Sequence, residues 1–269
     1  MIIGIQGQAG SFHEQVARQW YGETVSLVPY TTFANLFDAH ASKQIDAIVT
    51  AVENTMYGSI NDVYRLIERC SAPIIGEVKL PVVHNLIGLP EASVDEITEI
   101  YSQTMALSQC HDTIRTLCPT AEMIEYFDTA AAVEHVQTLN SPHAAAIAST
   151  RAAAIHNMAI LQPSVQDDPT NITRFVILEN RPFSVQANRS SLVITTTHQP
   201  GALAKVLQTF ASRQINLVKL QSQPIVGQPF TYKFFIDVDS AGTPLQDIVD
   251  ILRHETHDVT VLGQYVAAA

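Results

Sequence analysis

The chain has little of what marks several large classes of protein. Its three cysteines, Cys70, Cys110 and Cys118, are an odd number without metal-ligand spacing. Neither a disulfide framework nor a zinc site is expected, and reduced thiols in the cytosol are the simplest reading. No run of about 18 apolar residues occurs, which argues against a membrane span. The opening MIIGIQGQAG has no basic stretch ahead of an apolar block, so no signal peptide is expected. Positive charge is scarce in the first two thirds. Residues 1–180 hold 8 Lys+Arg against 20 Asp+Glu, and residues 181–269 hold 7 against 6. So acidic a first portion is a poor nucleic-acid binder, because phosphate neutralisation needs clustered cations. An anionic ligand there must be met by a few placed cations and backbone N–H groups. His13, His84 and His111 are widely spaced, lack a partner pattern and read as structural.

What is present is apolar bulk. The 269 residues are 46% hydrophobic and only 15% charged, enough for two packed domains. Over the first 180 residues short apolar runs alternate with helical spacing, the α/β signal. Strands are predicted at 2–6, 25–29, 47–52, 97–102, 123–127, 144–149 and 174–178. Ile60, Val63, Tyr64 and Ile67 mark one helix face, and Thr32 caps another helix with Phe33, Leu36 and Phe37 inward. The apolar stretch 73–89 carries the chain from one lobe into another, and 160–175 brings it back. Lobe one is then about 1–75 with 160–180, and lobe two about 76–159, with a cleft between them. A single large sheet is the alternative.

The pattern lapses over 181–190, which reads as a linker. Residues 191–269 then give strand, helix, two strands, helix, strand. The strands fall at 191–197, 216–225, 231–239 and 259–266. The helices fall at 201–213, with Leu203, Val206, Leu207 and Phe210 inward, and at 243–256, with Leu245, Ile248, Val249 and Leu252 inward. The order βαββαβ builds a ferredoxin-like sandwich, whose sheet edges tend to pair with another copy.

Four segments carry candidate chemistry. Gly7 and Gly10 follow the first strand and let backbone approach a ligand, while Ser11 can cap the next helix. A dinucleotide fingerprint would need glycine where Ile5 stands, so an anion turn or a purely structural turn remains. Glu53, Asn54, Thr55, Gly58 and Ser59 end a buried strand, where open α/β sheets bind ligands; an ordinary polar loop is the alternative. Residues 102–111 join a strand to a helix. Cys110 and His111 are adjacent and point about 100° apart on a helix, so they form no nucleophile–base pair, and Cys110 reads as core-facing. The last segment holds Asn171, Thr173, Arg174 and Phe175. Arg174 offers a planar fork suited to a carboxylate, and Asn171 and Thr173 share one side of an extended chain. A strand start with an exposed arginine is the bland alternative.

Taken in order, these segments resemble the prephenate dehydratases over essentially the whole chain. Gly7, Gly10, Ser11 and Phe12 are similar to the family's opening glycine motif, and Glu53, Asn54, Thr55, Gly58 and Ser59 to its Glu-Asn-Ser loop. Gly76, Glu77, Leu80, Pro81, His84 and Asn85 resemble its entry to the second lobe, and Asp128, Thr129, Ala130 and Ala132 a later stretch. Asn171, Thr173, Arg174 and Phe175 match its hallmark. The resemblance implies a two-lobed, periplasmic-binding-protein-like α/β domain at 1–180 acting without a cofactor on prephenate. Thr173 would be the catalytic residue. Ser11, Asn54, Thr55, Ser108, Gln109, Thr129, Asn171, Arg174 and Phe175 would bind substrate, Arg174 by a carboxylate or by ordering its strand.

Residues 191–269 resemble the ACT domains, which bind amino acids at dimer interfaces. Gly201, Ala202 and Leu203 match their Gly-Ala-Leu turn, and Asn216 and Leu217 their entry to the second strand. That implies a phenylalanine effector site in a homodimer or homotetramer. Gln221 and Gln223 stand where the family has Glu and Arg, which alters the site's charge. Arogenate dehydratase and a non-catalytic metabolite sensor are the competing functions.

Overall fold

The structure is a computed structural model describing residues 1–182, 186–197, 199–229, 231–239, 245–256 and 258–268. Positions 183–185 of the predicted linker lie outside the described residues. So do the first two positions of the predicted 243–256 helix and the Leu245 side chain.

Lobe one begins with β1 (Ile2–Gln6), α1 (Phe12–Tyr21), β2 (Ser26–Tyr30), α2 (Phe33–Ala41), β3 (Ala47–Asn54), the short β4 (Gly58–Ser59), α3 (Asn61–Arg69) and β5 (Ile74–Pro81). β1 and β3 pair in parallel, and helices cover both faces of the sheet, so all but one residue of β3 is buried. Ser11 and Thr32 cap α1 and α2 by accepting backbone N–H groups of the first turn. Lobe two holds β6 (Asn85–Gly88), β7 (Glu99–Ser102), α4 (Thr104–Gln109), α5 (His111–Leu117), β8 (Glu122–Glu125), α6 (Thr129–Leu139), β9 (Ala144–Ala148), α7 (Thr150–Ile155) and β10 (Ala159–Gln162). Its five strands run β10-β6-β9-β7-β8. β9 is buried throughout: Ala144, Ala146 and Ala148 pack with α6 and α7 residues in one core, and Ala145 and Ile147 with α4 and α5 residues in another.

β11 (Ile172–Glu179) returns to lobe one and lies antiparallel between β3 and β5. Two sheets therefore form, not one. The crossing falls later than the sequence boundary near residue 76. β5 pairs with β11 from Ile74 to Pro81 and so belongs wholly to lobe one. β10 pairs with β6, which keeps residues 159–162 in lobe two. The crossings are residues 82–84 and 163–171.

The C-terminal domain comprises β12 (Arg189–Thr195), α8 (Ala202–Ser212), β13 (Leu217–Pro224), β14 (Tyr232–Asp239), α9 (Leu245–Glu255) and β15 (Asp258–Tyr265). Its strand order, β13-β14-β12-β15, is the ferredoxin-like one. One sheet edge does not await a second copy: β15 pairs with β5 of lobe one through Gly263 and Ile74. A Cβ on Gly263 would stand 2.2 Å from the Ile74 carbonyl oxygen, so only glycine allows the approach. The sheet face opposite α8 and α9 packs on lobe one, where Val193, Phe235, Leu262 and Tyr265 share a core with Tyr64, Ile67, Ile74 and Val176. No described helix is long and apolar enough to cross a membrane.

Candidate active site

The cleft opens where β1 and β3 end, the edge at which parallel strands of open α/β sheets present ligands. Because β11 runs antiparallel to β3, its first residues lie at the same edge, and Thr173 pairs directly with Asn54. Asn54 is the hub. Its side-chain carbonyl accepts the Met56 and Tyr57 N–H groups at 2.9 and 3.2 Å, which fixes the amide's orientation. Its Nδ2 then donates to Thr173 Oγ1 at 2.9 Å and to Asn171 Oδ1 at 2.7 Å. With an Oγ1 lone pair so engaged, the half-buried Thr173 hydroxyl keeps its own proton free to donate. Asn171 is fully buried, and its Nδ2 has no hydrogen-bond partner among the described residues. A buried unpaired donor is costly unless something else meets it.

Thr55 Oγ1 accepts the Ile172 N–H and donates to the Thr170 carbonyl, stapling the β3 end to the returning crossing. Gln109 reaches from α4 to the other crossing, where its Oε1 accepts from His84 Nε2 at 2.8 Å. His84 is buried against Phe12, burial pulls its pKa down, and its Nδ1 is unpaired. Sequence reasoning had set His84 aside as structural. Its burial, its bond to Gln109 and its ring contact with Phe12 agree with that reading.

The lobes touch at three helix starts. Ser149, the N-cap of α7, donates to the Gly10 carbonyl at 2.6 Å. Arg151 Nε donates to Glu14 Oε1 at 2.9 Å. Burial pushes the Glu14 carboxyl up, but hydrogen bonds from Gly10 N–H, Arg18 and Arg151 outweigh it and hold it below its ordinary value. Gly10 has φ 92°, and a Cβ there would lie 2.8 Å from Ala152 Cα. Gly7, with φ 98°, faces Asp128 Oδ2 across the cleft. Asp128 caps α6 through its other oxygen, and burial raises its pKa. Ser11 caps α1 beside Gly7, and Thr129 opens α6 beside Asp128. The turns thus converge helix N-termini from both lobes; the Gly10, Ala130 and Ala131 N–H groups are already taken by Glu14 and Asp128, so what the helix starts offer an anion is their dipoles.

Three expected substrate contacts are placed differently. Arg174 does not face the cleft. Alternation along β11 turns it to the C-terminal domain, where Nε meets Glu77 at 2.7 Å, Nη1 meets Asp237 at 2.6 Å and Nη2 meets the Tyr265 hydroxyl at 2.9 Å. Phe175 is in the lobe-one core, edge-on to His13. Ser108 is exposed on α4, and no hydrogen bond joins it to the cleft groups among the described residues. Cys110 is fully buried, and burial raises its thiol pKa, as its core-facing reading requires.

His13 also sets a pH limit on stability. Its Nε2 accepts the Ala51 N–H at 3.2 Å, and burial lowers its pKa from 6.5 to about 4. Burial shifts His40 and His84 the same way. Below pH 6.5 the unfolded chain binds protons that the folded chain refuses, so stability falls. The melting temperature should hold above pH 6.5 and decline from there towards pH 4. His13→Gln should flatten part of that decline; an unchanged slope in thermal melts would remove His13 from the account.

In the C-terminal domain Gly201, Ala202 and Leu203 line a cavity of about 460 Å³ with Thr196, Tyr232 and Phe234. Asn216 and Leu217 line a different cavity, of about 440 Å³. One chain does not bring the two groups together. Gln221 and Gln223 face lobe one, hydrogen-bonded to Ser59 Oγ and to the Asn61 carbonyl.

Two α/β lobes joined by two crossings, a polar cleft at their strand ends and a docked βαββαβ domain define a two-lobed small-molecule protein with an attached ligand-binding module. The prephenate dehydratase family model matches residues 3–183, and the ACT domain model matches 190–253. The chain belongs to the prephenate dehydratase family. It is 34% identical over 277 residues to arogenate dehydratase/prephenate dehydratase 2, chloroplastic, of Arabidopsis thaliana, covering 98% of this chain and 72% of the relative. The structure of prephenate dehydratase from Arthrobacter aurescens in complex with L-Phe aligns at TM-score 0.88 and 25% identity, over 99% of this chain and 90% of that one. GqqA, described as a novel type of quorum quenching acylase, aligns at TM-score 0.89 and 28% identity, over 100% and 98%.

Proposed function

We propose that this chain converts prephenate to phenylpyruvate, releasing CO2 and water, and that its C-terminal domain binds phenylalanine. The carrying observation is the Thr173 hydroxyl at the cleft end of β11, held by Asn54 with its proton free. In the reaction the ring C–O bond breaks with its electron pair leaving on oxygen. The ring C–carboxylate bond breaks as CO2 departs, and its pair completes the aromatic ring. A proton from solvent converts the departing hydroxide to water.

A threonine hydroxyl is too weak an acid to be matched to this step near neutral pH. Thr173 instead stabilises the charge growing on the leaving oxygen by a positioned hydrogen bond. With Arg174 engaged elsewhere, the substrate's carboxylates are met by Ser11, Thr129 and the helix starts at the Gly7–Gly10 turn.

Phenylalanine is assigned to the Gly201–Leu203 cavity, completed by Asn216 and Leu217 of a second copy in a homodimer or homotetramer. Arogenate, which carries an amino group in place of the keto oxygen, is the second substrate reading, because the Arabidopsis relative bears both names. Ultraviolet detection of phenylpyruvate from prephenate tests the proposal, run beside arogenate and with and without phenylalanine. Product from prephenate is expected. A ligand-induced melting shift without product would favour a sensor.

A further inference from the structure

The residues next to the catalytic pair are bolted to the C-terminal domain. On β11 Thr173 is followed by Arg174, and on β3 Asn54 is preceded by Glu53. The register pairs Thr173 with Asn54 and Arg174 with Glu53. Strand alternation sends the first pair to the cleft and the second to the opposite face.

On that face every charge meets the C-terminal domain. Glu53 Oε1 binds Lys219 Nζ at 2.8 Å, and its Oε2 lies 3.7 Å from Arg174 Nη1. Arg174 is held by Asp237 and Tyr265 of that domain and by Glu77 of β5. Asp237 and Tyr265 are themselves fixed by Ser191 at 2.6 and 2.8 Å. Lys219 also donates to Ser59, on the strand that pairs with the β3 end. The β3–β11 register slips between Glu53 and Ala51, leaving Val52 of β3 as the extra residue, so the strand carrying Asn54 is locally irregular and its direction depends on what holds it.

We infer that Arg174 and Glu53 are positioning residues through which the docked C-terminal domain sets the Thr173–Asn54 geometry. The inference rests on the reaction proposed above. It makes the C-terminal domain part of the catalytic apparatus even without an effector. A hydrogen-bond donor displaced by about 1 Å costs up to roughly 10² in rate.

The test uses the full chain carrying Tyr265→Phe, Lys219→Met or Asp237→Asn, each made in wild-type and Thr173→Ala backgrounds. Tyr265→Phe and Lys219→Met leave Arg174 its two close carboxylates and keep the test available should Asp237→Asn fail to fold. In the wild-type background each should lower kcat about tenfold with KM within about twofold. In Thr173→Ala each should have no further effect, because the network acts through the missing hydroxyl. Equal losses in both backgrounds, or unchanged kcat, would overturn the inference. Amide hydrogen exchange is the second readout. Residues 53–55 and 171–174 should exchange faster in the variants while lobe two does not change, and unaltered exchange there would also overturn it. A wild-type chain without turnover would sink the reaction reading alone, and exchange would still decide the coupling.

Discussion

Thr173→Ala is expected to lower kcat and kcat/KM together by about 10²–10³, the usual cost of one donor aimed at developing charge. The substitution removes the hydroxyl that Asn54 Nδ2 holds at 2.9 Å but none of the contacts assigned to the substrate's carboxylates. KM should therefore change little. Thr173→Ser keeps the donor and should keep most of the activity. Near-normal turnover by the alanine variant, with purified protein in the ultraviolet assay, would strip Thr173 of its role. A rise in KM alone would reassign it to substrate binding.

Arg174→Met is expected to cost about 3–5 kcal/mol of stability, the usual penalty for breaking a buried ion pair by removing one partner. Arg174 is 9% exposed, and its guanidinium sits against Glu77 and Asp237, both nearly inaccessible. Burial opposes its charge, but Asp237, Tyr265 and Glu77 more than reverse that and hold it protonated. Methionine fills similar volume and leaves two buried carboxylates facing each other. Arg189, 3.4 Å from Glu77, offsets part of the loss. Urea or thermal melts read the effect directly. A variant as stable as wild type would mean that Arg174 only bridges the domains and does not hold them.

The βαββαβ module was legible in the sequence because its strands and helices each bury one periodic face, and the observed strand order is the one that pattern predicts. Asn54, Thr55, Asn171 and Thr173 were legible as polar residues placed at strand ends beside apolar runs. Arg174 as a direct carboxylate contact and Phe175 as a substrate contact were read for the same local reason, whereas Arg174 ordering its own strand accords with the partners it has. Alternation tells that they point opposite ways, Arg174 with one face and Phe175 with the other, but not what lies on each side. His84 looked like a lone histidine because its partner, Gln109, is 25 residues away on another element.

By itself the sequence determined the element types, the two lobes, the appended domain and the polar residues that meet at the cleft. Those follow from periodicity and from turn chemistry, which act over a few residues. The tertiary structure decided where the lobes cross, which face of β11 meets the cleft, and that β15 closes against β5. It also turned the hallmark arginine from a substrate contact into the link between domains. Each of these depends on which distant segments cover a face, and covering is settled by packing across the whole chain.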